Sequence, residues 1–190
     1  MTRIIAGTAK GRTLRVPSVG TRPTSDRVRE SVFSSVEHRL GTLNGLTVFD
    51  LFAGSGAFGF EARSRGAAHA VLVEQDRRAA EVIRANAQST QLEVELVVAD
   101  VTHFVQRPTQ RVPDVIFVDP PYDLPASSIR AQLTSLLEHF GAAHVLLVIE
   151  RSARDKESPV PEGCTDVDVR NLGETSVIYA DWYGCPHDDA

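Results

Sequence analysis

From Leu46 to Glu150, short apolar runs alternate with amphipathic stretches. Leu46-Thr47-Val48-Phe49, Ala70 to Glu74, Val94 to Asp100, Asp114 to Asp119 and His144 to Glu150 are nearly all apolar and rich in β-branched residues, so they read as buried strands. Between them, Ala57 to Arg65, Arg77 to about Gln88, a short turn to about Gln106, and Ser127 to Phe140 read as helices. In the last of these, Ile129, Leu133, Leu136, Leu137 and Phe140 share one face. Apolar strands separated by helices predict a parallel sheet covered on both sides. After Arg151 the pattern changes. Ser152 to Gly163 is polar with two prolines, hence a loop, and Asp166 to Arg170 and Ser176 to Tyr183 read as a closing hairpin turning at Gly173.

The first forty residues follow a different rule. Arg3-Ile4-Ile5-Ala6 and Thr13-Leu14-Arg15-Val16 are short β-type runs around the glycine-bounded turn Gly7 to Arg12. They predict a β-hairpin with Lys10 and Arg12 near its tip. Pro17 and Pro23 bound a loop, and Thr24 or Ser25 caps a helix to about Leu40 with the stripe Val28, Val32, Phe33, Val36 and Leu40. The hairpin is too small for a core of its own. The expected organisation is therefore an arm over residues 1–20 and one α/β domain over residues 21–190, whose helix at about 24–40 docks on the sheet.

Two stretches carry the candidate chemistry. Asp50-Leu51-Phe52-Ala53-Gly54-Ser55-Gly56-Ala57-Phe58-Gly59 lies at a strand-to-helix turn, where glycine permits positive φ and close approach of a ligand to free helix N–H groups. Its Gly54, Gly56 and Gly59 match dinucleotide spacing, and Glu74 follows Gly54 by 20 residues. Asp50, Glu74, Asp100 and Asp119, however, each fall at the end of a strand. Four carboxylates converging on one sheet edge would repel a pyrophosphate. They suit a cationic ligand with several donors, such as S-adenosylmethionine. The second stretch is Asp119-Pro120-Pro121-Tyr122. Two prolines hold the backbone extended and leave their carbonyls as rigid acceptors. Asp119 accepts when ionised, and Tyr122 offers a flat face. Together they suit an aromatic amine on a planar base.

Composition narrows the class. The chain has 190 residues, 42% hydrophobic and 24% charged, which suits one globular domain. No run approaches the roughly 18 apolar residues of a membrane span, and no secretory signal pattern is seen, so a cytoplasmic protein is expected. Cys164 and Cys185 have no metal spacing and read as reduced thiols. The histidines are single, so no metal site is expected. Net charge is −5, but residues 1–29 hold seven cations against Asp26 alone, a net of +6, which leaves −11 for the rest. A basic arm on an acidic body points to a polyanionic partner.

These motifs resemble a class I methyltransferase acting on an exocyclic amine. The opening residues narrow the likeness. Arg3-Ile-Ile-Ala-Gly7, Lys10-Gly-Arg12 and Thr21-Arg-Pro-Thr-Ser-Asp-Arg-Val-Arg-Glu30 resemble the RsmD family, which methylates the guanine N2 amine of 16S ribosomal RNA. The likeness continues to Gly173-Glu-Thr-Ser-Val177, with Asn171-Leu172-Gly173 departing from the family's usual turn. The resemblance implies a Rossmann-like sheet of seven strands with the last antiparallel, S-adenosylmethionine as cofactor, and a substrate presented on the small subunit or its assembly intermediate. A monomer is expected. It also implies that Asp50, Gly54 and Gly56 hold the methionine end, with Phe52, Ala53, Ser55 and Gln75 beside them. Glu74 would take the ribose, and Asp100 with Val101 the adenine. Asp119 and the Pro120 carbonyl would accept the amine hydrogens, with Pro121 and Tyr122 completing the target site. Arg3, Lys10, Arg12, Arg15, Arg22, Arg27 and Arg29 would contact RNA, and no proposed cofactor ligand lies in the arm. Another amine methyltransferase, acting on DNA adenine or a protein amide, shares much of the motif. An NAD-linked oxidoreductase would need a hydride-transfer site, and no catalytic His or Tyr-Lys arrangement is found. A non-enzymatic RNA-binding module would not need the four acids.

Overall fold

The computed structural model describes residues 2–17, 25–107, 110–141 and 143–184. The arm contributes β1 (Thr2–Arg3) and β2 (Thr13–Leu14), and α1 (Asp26–Leu40) follows. The body runs β3 (Thr47–Leu51), α2 (Ala57–Ser64), β4 (His69–Glu74), α3 (Arg77–Thr90), β5 (Glu95–Val98), α4 (Val101–Val105), β6 (Val115–Val118), α5 (Ala126–Leu137), β7 (His144–Ser152), β8 (Thr165–Leu172) and β9 (Thr175–Tyr183). Seven strands form one sheet in the order β5-β4-β3-β6-β7-β9-β8. The first five are parallel, and β9 is antiparallel to both neighbours.

Strand alternation divides the core in two. Val48, Leu72, Phe117, Val148 and Tyr179 pack towards α1, α2 and α3. Phe49, Leu51, Val73, Ile116 and Leu147 pack towards α4 and α5. The expected stripe of α1 is confirmed at Val32, Phe33 and Val36, and Phe33 and Phe58 both lie against the Phe117 ring, at 5.2 and 5.0 Å. Ser25 caps α1, accepting from the Val28 N–H. Chain order reverses between β3 and β6: β4 and β5 extend to one side of β3, then the chain returns. Crevices in open α/β sheets form at that reversal, beyond the carboxyl ends of the strands.

The arm packs into the body and shares its core. Ile4, Ala9 and Leu14 are buried in the same core as α1 and α2. Both oxygens of Glu61 on α2 accept arm backbone bonds, from Ile5 N–H at 2.7 Å and Ala6 N–H at 3.0 Å. Ser64 takes two more, from Thr8 N–H through its carbonyl and from Ala9 N–H through its hydroxyl. Gly7, at φ +80°, passes so close that an added Cβ would stand 1.7 Å from the Ser64 carbonyl oxygen. Only glycine satisfies both the turn and that approach.

Candidate active site

β3 delivers Asp50 one residue before its end, not at its last position, and the chain then turns sharply at Phe52. Phe52 has φ 63°, a left-handed conformation that costs a bulky residue energy and is held only where its surroundings impose it. Gly54 and Gly56 follow at positive φ, and α2 begins at Ala57. Asp50 is 1% exposed, and its Oδ2 accepts the Gly59 N–H at 2.9 Å. Burial pushes its carboxyl well above the ordinary aspartate value of 3.8; the Gly59 N–H pulls it back in part, and the charges of Asp119 and Glu74 push it further up.

Glu74 does end β4 as expected. Its carboxylate is a brace as well as a candidate ligand. Oε2 accepts the Gly54 N–H and Oε1 accepts the Asp76 N–H, both at 2.7 Å, so it pins the glycine loop to the start of α3. Asp119 lies one residue past β6, where Pro120 is buried and Tyr122 is 52% exposed.

These elements enclose a cleft of about 540 Å³, within the range of small-molecule sites. Asp50, Phe52, Ala53, Gly54, Ser55, Glu74, Gln75, Val101, Asp119, Pro120, Pro121 and Tyr122 all line it, so most of the expected site residues converge. Two expected cofactor residues do not. Gly56 is constrained by packing: an added Cβ would press on Leu72 and Phe60 at 2.7 and 2.8 Å. Asp100 lies two residues beyond β5, and its carboxylate caps α4 by accepting the Thr102 N–H at 2.8 Å. Its neighbours Ala99 and Val101 face the cleft instead.

Val16, Pro17, Phe58, Asp76, Ala79 and Asp123 also line the cleft and were not foreseen. Asp123 directly follows the Asp-Pro-Pro-Tyr string, and Asp76 is the helix cap after β4, so proximity to those motifs was the available signal. Val16 and Pro17 carry no local signal, because only the docking of the arm brings them there. The arm is thus one wall of the cleft, although no proposed cofactor ligand lies in it.

The basic residues divide. Arg3, Lys10, Arg12, Arg15 and Arg27 are exposed. Arg3 lies 3.6 Å from Asp26, and the Arg12 guanidinium donates to the Ser89 and Thr90 carbonyls ending α3. Arg22 lies outside the described residues. Arg29 corrects the expectation: it is fully buried. It donates to the Thr2 hydroxyl and Asp26 at 3.0 Å and to the Arg3 carbonyl, and its Nε lies 3.9 Å from Glu61. It holds the arm, α1 and α2 together. Among the described residues no cluster of metal-ligating side chains occurs, and no helix is long and apolar enough to cross a membrane. Burial, with Asp181 adding, pushes the Cys164 thiol up to about 11, which keeps it protonated and unreactive at neutral pH.

Comparison with known proteins agrees with this geometry. Residues 2–181 match the family model described as conserved hypothetical protein 95. The ribosomal RNA small subunit methyltransferase D of Escherichia coli K12 is 36% identical, over 84% of this chain and 79% of that protein. Its namesake in Haemophilus influenzae is 34% identical over 92% and 90%. Among solved structures, a putative methyltransferase from Escherichia coli, YhhF, superposes with a TM-score of 0.79 at 30% identity, covering 96% of this chain and 98% of that one. A putative methyltransferase complexed with SAH shares the fold at a TM-score of 0.62 and 19% identity, over 82% of this chain and 48% of that one.

Proposed function

Because the chain belongs to the family of the ribosomal RNA small subunit methyltransferase D enzymes, we propose that it transfers a methyl group from S-adenosylmethionine to the N2 amine of a guanine in 16S ribosomal RNA. One observation carries the reading. A buried carboxyl crowded by two others, Asp50, and a two-acceptor string suited to an amine, Asp119-Pro120, line the same cleft. The donor set fits the cofactor. Asp50 has a backbone N–H and two neighbouring carboxylates beside it, so a cationic group there would relieve the repulsion that the Gly59 N–H only partly offsets. Glu74 keeps lone pairs for hydroxyls while its loop bonds hold it still. The cofactor supplies an electrophilic methyl on a sulfonium.

The remaining chemistry belongs to the chain. Asp119 and the Pro120 carbonyl accept the two amine hydrogens of the target base. Amine electrons are normally delocalised into the ring, and two fixed acceptors favour the localised pair. They also stabilise the positive charge that grows on nitrogen as it is methylated, and they are in place beforehand. Half-exposed Tyr122 offers its face to a base unstacked from the RNA. Alignment of amine and methyl donor in one cleft supplies the rest. The decisive experiment is transfer of a labelled methyl to small subunits isolated from cells lacking this protein, with the product mapped. One N2-methylguanine supports the reading. Label on adenine or on protein would overturn it.

A further inference from the structure

The body holds a fully buried amide that the chemistry above does not use. Asn86 lies on α3, and its side chain is fully buried. Its Oδ1 accepts the Arg15 N–H at 2.8 Å. Its Nδ2 donates to the Arg15 carbonyl at 3.0 Å and to the Ser55 carbonyl at 3.0 Å. An Arg15 N–H can only donate and the two carbonyls can only accept, so the amide orientation is fixed and both its N–H groups are used. Asn86 therefore pairs with Arg15 as a neighbouring strand would, while holding the glycine loop from the other side.

Both partners belong to segments that wall the cleft. Ser55 lines it directly, and Arg15 immediately precedes Val16 and Pro17 of the arm wall. Neither wall can move without breaking a bond to a side chain that water does not reach. Arg15 is also exposed, as are Arg12 and Lys10 of the same basic arm.

We propose that Asn86 is a positioning residue that makes the arm and the cofactor loop one unit, so that cofactor binding and RNA binding reinforce each other. This rests on the cofactor reading above. A ligand that orders the loop through Ser55 also orders Arg15, and with it the surface that meets RNA. Linkage requires the converse: RNA held on the arm tightens cofactor binding by the same factor.

Hydrogen exchange on the full chain, with and without S-adenosylhomocysteine, tests this. In the native protein the ligand should slow exchange at residues 53–56 and also at residues 14–16. Asn86→Ala should bind the ligand about tenfold more weakly, as loss of buried hydrogen bonds implies. At saturation it should still protect the loop but no longer the arm. A merely structural Asn86 would lower the melting temperature and leave the pattern of ligand protection unchanged. If Asn86→Ala fails to fold, a pair of arm variants gives the answer. Arg15→Pro removes the N–H that Asn86 accepts, whereas Arg15→Ala removes only the cation. Arg15→Pro should lose the arm protection and the reciprocal gain in RNA affinity, and Arg15→Ala should keep the arm protection. Protection confined to the loop in the native protein, or identical behaviour of the two Arg15 variants, would overturn the coupling and leave the cofactor reading standing. No binding of S-adenosylhomocysteine by the native protein would overturn both.

Discussion

Asp50 and Glu61 are eleven residues apart, and both are buried, at 1% and 0% exposure. The fold treats them in opposite ways. Glu61 receives two backbone N–H groups from the arm, the Arg65 guanidinium at 2.8 Å and, at 3.9 Å, Arg29. Among the described residues Asp50 receives one N–H, and it faces the charges of two other carboxylates. A buried charge persists only when it is paired and hydrogen-bonded. Glu61 meets that condition within the chain and serves the structure. Asp50 does not, and its raised carboxyl records the shortfall. On the proposed function, a cationic ligand would complete it. Both are buried carboxylates of similar chemistry, and it is their partners that distinguish the structural acid Glu61 from Asp50, the acid proposed to bind the cofactor.

The strongest way to break this contrast is to remove Glu61. Glu61→Ala leaves Asp26 as the remaining carboxylate beside buried Arg29 among the described residues and orphans two arm N–H groups. Removing one member of a buried pair costs about 3–5 kcal/mol. Against the usual total of about 5–15 kcal/mol this should bring the protein close to unfolding at ambient temperature. Urea denaturation would measure it. A loss under about 1 kcal/mol would mean that the arm contacts do not hold the fold.

Asp119 tests whether the cleft acids share a role. Asp119→Ala should lower methyl transfer by at least about 100-fold, the usual effect of losing a donor or acceptor matched to the transition state. Cofactor affinity should change little, because Asp119 is assigned to the target amine. Single-turnover assays and calorimetry separate the two quantities. Near-native turnover would refute the acceptor role.

Asp50→Asn should behave as the reverse of Glu61→Ala. Asparagine can still accept the Gly59 N–H, but it removes a charge from a crowded, buried place. Stability without cofactor should hold or rise near neutral pH, while cofactor affinity falls by about 1.5–3 kcal/mol, the range for a hydrogen bond to a charged group. The pH dependence follows from the raised carboxyl. Between 3.8 and its folded value, Asp50 keeps a proton that the unfolded chain has lost. The stability this confers is fully present below 3.8 and disappears as pH rises through the folded value. A cationic ligand favours the ionised form, so cofactor affinity should increase with pH over the same window. Thermal melts of native protein and Asp50→Asn across that range, with and without S-adenosylhomocysteine, would show both trends. Parallel curves for the two proteins would place the titration elsewhere.

The contrast also explains what the sequence could reveal. Asp50, Glu74 and Asp119 stand out because each follows an apolar β-branched run, and strand ends are a local property. The sheet was legible for the same reason. The arm partners of Glu61, Ile5 and Ala6, lie more than 50 residues away, so nothing near it marks it as the anchor of the arm. Arg29 and Asn86 were legible in principle. Arg29 precedes Phe33 by four positions, and Asn86 follows Ile83 by three, so each sits on the apolar stripe of its helix. A polar residue on such a stripe signals a buried hydrogen-bonding role. The charge count of the arm outweighed that periodicity at Arg29. The left-handed turn at Phe52 had no signal, since nothing in the residue type demands it.

The smallest expected effect separates Arg27 from Arg29, two arginines on the first turns of α1. Arg27 is exposed and Arg29 is sealed among Asp26, Thr2 and Glu61. If the arm and α1 neutralise about 3–5 phosphates, log affinity for RNA should fall against log salt with a slope of about −2 to −4. Arg27→Ala removes one candidate phosphate contact and should flatten that slope by about 0.7–0.9 with little change in stability. Arg29→Lys should do the opposite. Lysine keeps the charge but lacks the planar fork that spans several acceptors, so stability should fall while the slope stays as it was. Fluorescence anisotropy with a small-subunit RNA fragment over a salt series, paired with thermal melts, reads both quantities. Equal slope changes in the two variants would mean that the Arg29 network opens when RNA binds. In that case the line drawn here between structural and binding charges would not hold for the arm.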